Sequence, residues 1–312
     1  MFQGIKNGWD LIKESIKVFN NHPKFIVPLL ITWVIYTPMV LYLKYGLNWD
    51  AYTTSQVLVI VFGVILIFAF LLAFSCSMLL ELIQQLETGE QMNLLKAFAN
   101  TVGKNIIKIL PLVLVWAVIW FVLTVLQALL SKKRSSEKES FTAENAAKTL
   151  AGYQSFSISR AFFEALRKGV RMVMFLILPA IAWENLGFWK ATKKGIAVFK
   201  AHLSEFVTGF VLTEGVALLI FLLPALLFYI TGEMKITLPD YVWVITIVYI
   251  AFAWSYSIYL EQMFTAELYL WNMKWEKEVA KAQAEGKPIP SMREVPRPSV
   301  LDEVHELINK PE

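Results

Sequence analysis

The sequence predicts an all-α protein: a polytopic membrane helix bundle of about six transmembrane helices in two or three parallel repeats, each preceded by an amphipathic interfacial helix. Three observations carry this. The 312 residues have a mean hydropathy of +0.54, with 57% hydrophobic and only 17% charged residues, well outside ordinary soluble composition. The apolar residues are gathered into long blocks, a grouping that globular burial does not require. The chain also repeats itself: Trp9, Lys13, Ile16, Val18, Phe19 and His22 recur in register as Trp189, Lys193, Ile196, Val198, Phe199 and His202.

The first element precedes any span. Ile5, Trp9, Ile12, Ile16 and Phe19 fall at helical spacing, with Lys6, Lys13 and Lys17 away from that stripe, as for a helix resting in a membrane interface. Apolar runs then follow at 25–43, 57–83, 109–130, 170–187, 206–230 and 241–271. Most can cover ~30 Å of hydrocarbon at ~1.5 Å per residue. The fourth is short and holds Arg171, Pro179 and Glu184; a tilted helix, one extended back through 161–166, and a partly re-entrant segment are its alternatives. Pro28, Pro38, Pro111, Pro179 and Pro224 lie in or near the spans, where they kink or cap helices without necessarily ending them.

A second interfacial stripe, Leu94, Leu95, Phe98, Val102, Ile106 and Ile109, runs beside Lys96, Lys104 and Lys108 ahead of the third run. A third, Trp189, Ile196 and Phe199 with Lys190, Lys193 and Lys194, precedes the fifth. The register of the repeat also pairs Ser75, Ser77, Leu80, Glu81 and Glu87 with Ser255, Ser257, Leu260, Glu261 and Glu267. Repeat units of about 1–90, 91–180 and 181–271 therefore make up a transmembrane domain over 1–271. An even number of spans between units makes the copies parallel.

Basic residues place both termini in the cytoplasm. That side receives Lys6, Lys13, Lys17 and Lys24, then Lys96, Lys104 and Lys108, then Lys190, Lys193, Lys194 and Lys200, while short outer loops carry Lys44 and Lys235. The polar outer loop 131–168, with its Lys132-Lys133-Arg134 cluster, runs against that bias. Residues 1–24 lack a compact hydrophobic block, so no cleavable signal peptide is expected.

Glu81, Glu184 and Glu261 near the cytoplasmic ends of the second, fourth and sixth spans, and Glu214 inside the fifth, are the candidate site residues. A carboxylate in hydrocarbon is costly and faces protein, water or a partner charge. Two roles are open: a polar pathway, in which the three repeat-related acids face a common cavity, or a lock that fixes the bundle. For Glu214 the lock is a hydrogen bond to Ser, Thr, Trp or Lys on a neighbouring helix. Trp33, Trp116, Trp120, Trp183, Trp243, Trp254 and Trp271 read first as packing and interface anchors and second as an aromatic solute box.

Catalytic residues are not expected. The chain has no P-loop, dinucleotide fingerprint or nucleophile elbow. No metal site or cofactor is expected either, since His22, His202 and His305 are dispersed and no HExxH or paired CxxC occurs. The lone Cys76 excludes an internal disulfide. The net charge of +4 suits anionic lipid and does not specify nucleic acid.

The cytoplasmic tail, 272–312, begins with a charged helical stretch to about Ala284, broken by Gly286-Lys-Pro-Ile-Pro290, with a Pro-rich linker and a short terminal helix. Leu301, Val304, Leu307 and Ile308 share one side of that helix and are the candidate docking residues. They are expected to dock on the protein's own cytoplasmic face, on a second copy or on a membrane-protein partner, with a disordered solvated tail as the alternative; membrane lipids are the other expected partner of the chain.

The Gly8-Trp9-Asp-Leu-Ile-Lys-Glu-Ser opening, the stretch from Glu81 to Glu90, the Leu178-Pro-Ala-Ile-Ala-Trp-Glu184-Asn-Leu-Gly187 segment and the Ser257-Ile-Tyr-Leu-Glu-Gln run resemble a family of uncharacterised prokaryotic integral membrane proteins with about six spans, a domain of unknown function. The resemblance covers roughly residues 4–271. It implies a multi-span protein of the prokaryotic inner membrane and brings no catalytic residues. The functional expectation is a conduit or transporter-like module for an ion or small solute. The alternative is a non-catalytic membrane scaffold or assembly factor that binds partners through its interfacial helices and tail.

Overall fold

The computed structural model describes residues 2–130, 141–152 and 158–298. Leu301, Val304, Leu307 and Ile308 therefore lie outside the described residues. Among those described the chain is helical and contains no strand. The helices are α1 (Phe2–Asn21), α2 (Val27–Leu41), α3 (Thr54–Glu87), α4 (Leu94–Asn100), α5 (Ile106–Leu130), α6 (Ala143–Leu150), α7 (Ile158–Ala182), α8 (Phe188–Ala201), α9 (Leu203–Glu233) and α10 (Asp240–Ala284).

Five stretches are long and apolar enough to cross a membrane: Pro23–Gly46, which contains α2, Thr54–Glu87, Leu94–Leu130, Leu203–Glu233 and Asp240–Ala284. Their outward faces suit lipid. On α9, Leu218, Leu219, Leu222 and Leu223 are all exposed, and a continuous apolar surface of this kind is not left to water. Polar termini begin several of these helices. Thr53 and Gln56 form a reciprocal capping box at the start of α3, and Asn93 accepts from the Lys96 amide at the start of α4.

The fourth apolar run takes the alternative extended back through 161–166 and departs from the sequence expectation at its end. Its helix, α7, begins at Ile158 and ends at Ala182, so Glu184 lies in the turn that follows. Asn185 takes a left-handed φ of 56° and the Leu186 amide reaches back to the Ala180 carbonyl. Asn is among the few residues that accept this conformation cheaply. With Arg160, Glu164, Arg167, Lys168 and Arg171 in its first half, α7 is not among the five lipid-compatible helices. Its second half lies in the core, with Met172 and Met174 through Ile181 buried.

The interior is built from the second half of α7, the Leu72–Gln85 stretch of α3 and the Ser257–Asn272 stretch of α10. Helix α5 packs on α3 and α7, α9 on α10, and α2 on α3 and α10. Three further helices pack on these: α4 lies on α3, α8 on α7, and α1 on α9 and α10. Helix α1 is turned relative to its expected stripe. Leu11, Ile12, Ser15 and Val18 are buried and Trp9 is exposed, because Gly8 lets α1 settle directly onto Thr208 of α9.

Two further regions complete the fold, and at the second the helix ends at Ala284 as the sequence predicts. Of the segment 131–168, the described residues form α6, which packs on α10 and α2, and the first turns of α7. At the far end of the chain, α10 runs on as one helix to Ala284, and residues 285–298 fold back as a strap. Trp271 and Trp275 donate to the Val295 and Pro290 carbonyls, at 3.0 and 3.1 Å. Arg297 donates to the Asn7 carbonyl and to Asp10, at 2.8 and 3.2 Å.

Close helix approach depends on two further glycines. A Cβ on Gly195 would sit 2.6 Å from Ile177 Cγ1 and 3.0 Å from its Cα, and one on Gly209 would fall within the Phe264 ring. Gly195→Ala and Gly209→Ala are expected to destabilise the protein by about 1–3 kcal/mol through overpacking. Gly63→Ala, where a Cβ meets nothing within 4 Å, should be neutral in the same thermal unfolding assay in detergent.

Candidate functional site

The structure does not bring the three repeat-related acids to one place. Glu81, 3% exposed on α3, accepts from Asn100 at 3.1 Å and Asn105 at 3.0 Å. Asn105 also reaches Ser77 at 3.4 Å. Both asparagines sit at the α4–α5 junction, so this carboxylate joins α3 to the helix pair that follows it.

Glu184, in the turn after α7, accepts from Lys194 of α8 at 2.7 Å and from the Tyr269 hydroxyl of α10. Lys194 also reaches Glu276 at 3.0 Å. Burial lowers the affinity of the Lys194 ammonium for its proton, but the two carboxylates outweigh that and hold its pKa above the ordinary lysine value.

Glu261 and Glu214 do meet, through α7. Arg171 grips Glu261 with two parallel bonds, Nε to Oε2 at 2.7 Å and Nη2 to Oε1 at 2.8 Å, the strong geometry for this pair. Lys168, one turn earlier on α7, lies 2.7 Å from Glu214 and 3.5 Å from Glu261. Its ammonium also stands 5.0 Å from the Phe210 ring centroid. The Lys168 side chain is 6% exposed and that of Glu214 is 51% exposed, so Glu214 brings a carboxylate from the rim of α9 to an otherwise buried cation.

Sequence reasoning named the acids and missed their donors. Lys168 and Arg171 were legible in principle: three residues apart on a helix, they share a face. Asn100, Asn105, Lys194 and Tyr269 carry no periodic signal. The cavities described in the structure are lined by other residues, and the described residues contain no group of three or more His, Cys, Asp or Glu able to hold a metal ion. Compared with family models, with curated proteins and with solved structures, the chain matches none.

A second polar cluster lies beneath the strap. Glu267 is 1% exposed and accepts from Ser15 of α1 at 3.1 Å, while the Tyr259 hydroxyl donates to the Ser15 carbonyl at 2.9 Å. His202, between α8 and α9, is 1% exposed, with its ring 5.1 Å from that of Trp271. Burial pulls its pKa down to about 4, only partly opposed by Glu205 and Asn272.

A base whose folded-state pKa is depressed gives stability that is present above its unfolded pKa and lost as the pH falls through the folded value. Stability should therefore decline between about pH 6.5 and pH 4. The loss attributable to this residue is on the order of 3 kcal/mol. Unfolding measured across that range should show His202→Phe abolishing this component of the decline.

Proposed function

We propose that the chain is a non-catalytic scaffold of a prokaryotic cytoplasmic membrane, in which the four acids lock the bundle and the cytoplasmic face carries partner contacts. One observation carries this reading: each of Glu81, Glu184, Glu214 and Glu261 ends on a donor from another helix or helix junction. A carboxylate paired in this way fixes helix positions, and removing either partner leaves a buried polar group or charge unsatisfied. The conduit expectation needs the acids to share a wet path, and the pairing of Glu81 and Glu184 away from the Glu214–Glu261 pair favours the lock.

The strap supports a six-crossing arrangement with both termini on one side. Arg297 touches Asn7 and Asp10, so the chain after the last span meets the helix before the first. Five crossings would leave them on opposite faces of the membrane. Helix α7 is then the sixth crossing, shielded from lipid by its neighbours and neutralised by Glu261 and Glu214.

Three parallel units are supported by the way their ends interlock. The helix that opens each unit packs on the closing helix of another: α4 on α3, α8 on α7, α1 on α10. The repeated positions also share one environment, since Ser75, Ser77, Glu81 and Glu87 are buried, as are Ser255, Ser257, Glu261 and Glu267. Trp9 and Trp189, with Lys6, Lys13, Lys190 and Lys193 around them, face outward, as suits membrane lipid at the cytoplasmic interface.

Glu184→Gln and Glu214→Gln separate the two functions. In purified protein both should lower the thermal unfolding midpoint and the yield of folded particle. In liposomes, the fraction that assembles should leave ion leak at the level of protein-free membranes. Normal assembly combined with altered flux, or with an altered pH dependence of flux, would overturn the scaffold reading in favour of a conduit.

A further inference from the structure

Of the four acids, Glu214 is the one the bundle does not enclose. Glu81 and Glu261 are buried and Glu184 is mostly covered, whereas the Glu214 side chain is half exposed. Its helix, α9, is the least buried of the five membrane-compatible stretches and packs chiefly on α1 and α10, so one side of it faces away from the protein. Lys168 takes Glu214 Oε2 at 2.7 Å, and Oε1 has no partner among the described residues.

The depth of this oxygen restricts what can meet it. Glu214 lies eight residues after Phe206, where the fifth apolar run begins, or ~12 Å along the helix at ~1.5 Å per residue, close to the middle of a ~30 Å hydrocarbon layer. Neither headgroups nor bulk water reach that level, and an acid there is expected to face protein. The surface around it is an open helix face. Val211, Gly215, Leu218 and Leu222 are exposed at helical spacing beside Glu214, and a Cβ on Gly215 would meet nothing within 4 Å. None of the described cavities is lined by these residues. Such a face suits another helix, with the glycine permitting close approach, and gives a small solute no enclosure.

Charge decides the chemistry of that helix. Lys168, Arg171, Glu214 and Glu261 form a cluster whose formal charges sum to zero, so an added Lys or Arg would leave a net charge in hydrocarbon, while a neutral N–H or O–H satisfies Oε1 without one. A second copy of this chain is poorly suited. Parallel packing of α9 on α9 sets Glu214 against its own counterpart, and the outward residues near the middle of other spans, Ile35, Ile67 and Val118 among them, are apolar. We propose that the Glu214 face of α9 docks a transmembrane helix of a different membrane protein, which presents a neutral hydrogen-bond donor such as Asn, Gln, Ser or Thr to Glu214 Oε1. Such a contact rests on the scaffold reading and places a partner inside the membrane as well as at the cytoplasmic face.

The test is energy transfer in liposomes between the full chain, labelled at its N-terminus, and a dilute labelled transmembrane peptide of alternating Leu and Ala whose central residue is Asn, Leu or Lys. The Asn peptide should bind saturably and about fivefold more tightly than the Leu peptide. Gly215→Phe, which projects into open space on the face, should abolish that preference. Glu214→Leu combined with Lys168→Met removes the acceptor together with its cation, and should abolish the preference while leaving affinity for the Leu peptide unchanged. Equal affinity for the Asn and Leu peptides, tighter binding of the Lys peptide, a preference that survives Gly215→Phe, or no saturable transfer would each overturn the proposal. Transfer between two labelled copies that the Asn peptide displaces would overturn it in favour of a second copy as the occupant. Ion leak is read in the same liposomes before peptide is added, so failure of the scaffold reading and failure of the docking face give different results.

Discussion

The two-pronged grip of Arg171 on Glu261 is the contact on which the rest of the arrangement depends. Helix α7 is the most charged of the long helices in its first half and among the most buried in its second. A helix with that first half is expelled from an apolar bundle unless its cations are matched within reach. Glu261 matches Arg171, and Glu214 matches Lys168 from the rim of α9. With these two charges met, the run from Met172 to Ile181 can occupy the middle of the molecule. There it receives α8 through the Gly195 contact and α5 along its flank.

The other locks extend the same logic outward. Glu81 fastens the α4–α5 junction to α3, and Glu184 fastens the end of α7 to α8 and α10. The strap then ties the end of α10 to α1 by hydrogen bonds from two tryptophans and an arginine, with Val295 buried beneath it. These contacts are polar and directional. In a lipid environment, where apolar surface gains little by leaving lipid for protein, such bonds and close packing at small residues supply much of the specificity of helix association.

Much of this architecture was legible in the sequence because bilayer thickness imposes a length on every lipid-facing helix. Five apolar runs became long helices, and α10 ends at Ala284, before the glycine and prolines that break it. The fourth run was harder to read: the hydropathy of α7 is that of a helix facing protein, so its start at Ile158 and its end before Glu184 were not visible in apolar run length. The four acids were legible as costly residues in apolar surroundings. Their donors were not, since Asn100, Asn105, Lys194 and Tyr269 are brought to them by tertiary packing. The repeat also misleads locally: His22 and His202 correspond in sequence, yet His202 is buried and His22 is only partly covered.

The most direct measurement is a double-mutant cycle across Arg171 and Glu261, read as unfolding free energy in lipid-containing micelles. Arg171→Met and Glu261→Met alone should each cost about 3–5 kcal/mol, because each leaves a buried charge without its partner. The double substitution should recover most of that loss, because two apolar side chains need no counter-charge. Single substitutions that leave stability unchanged, or a double substitution whose cost is the sum of the two, would contradict the claim that this pair holds α7 in the bundle.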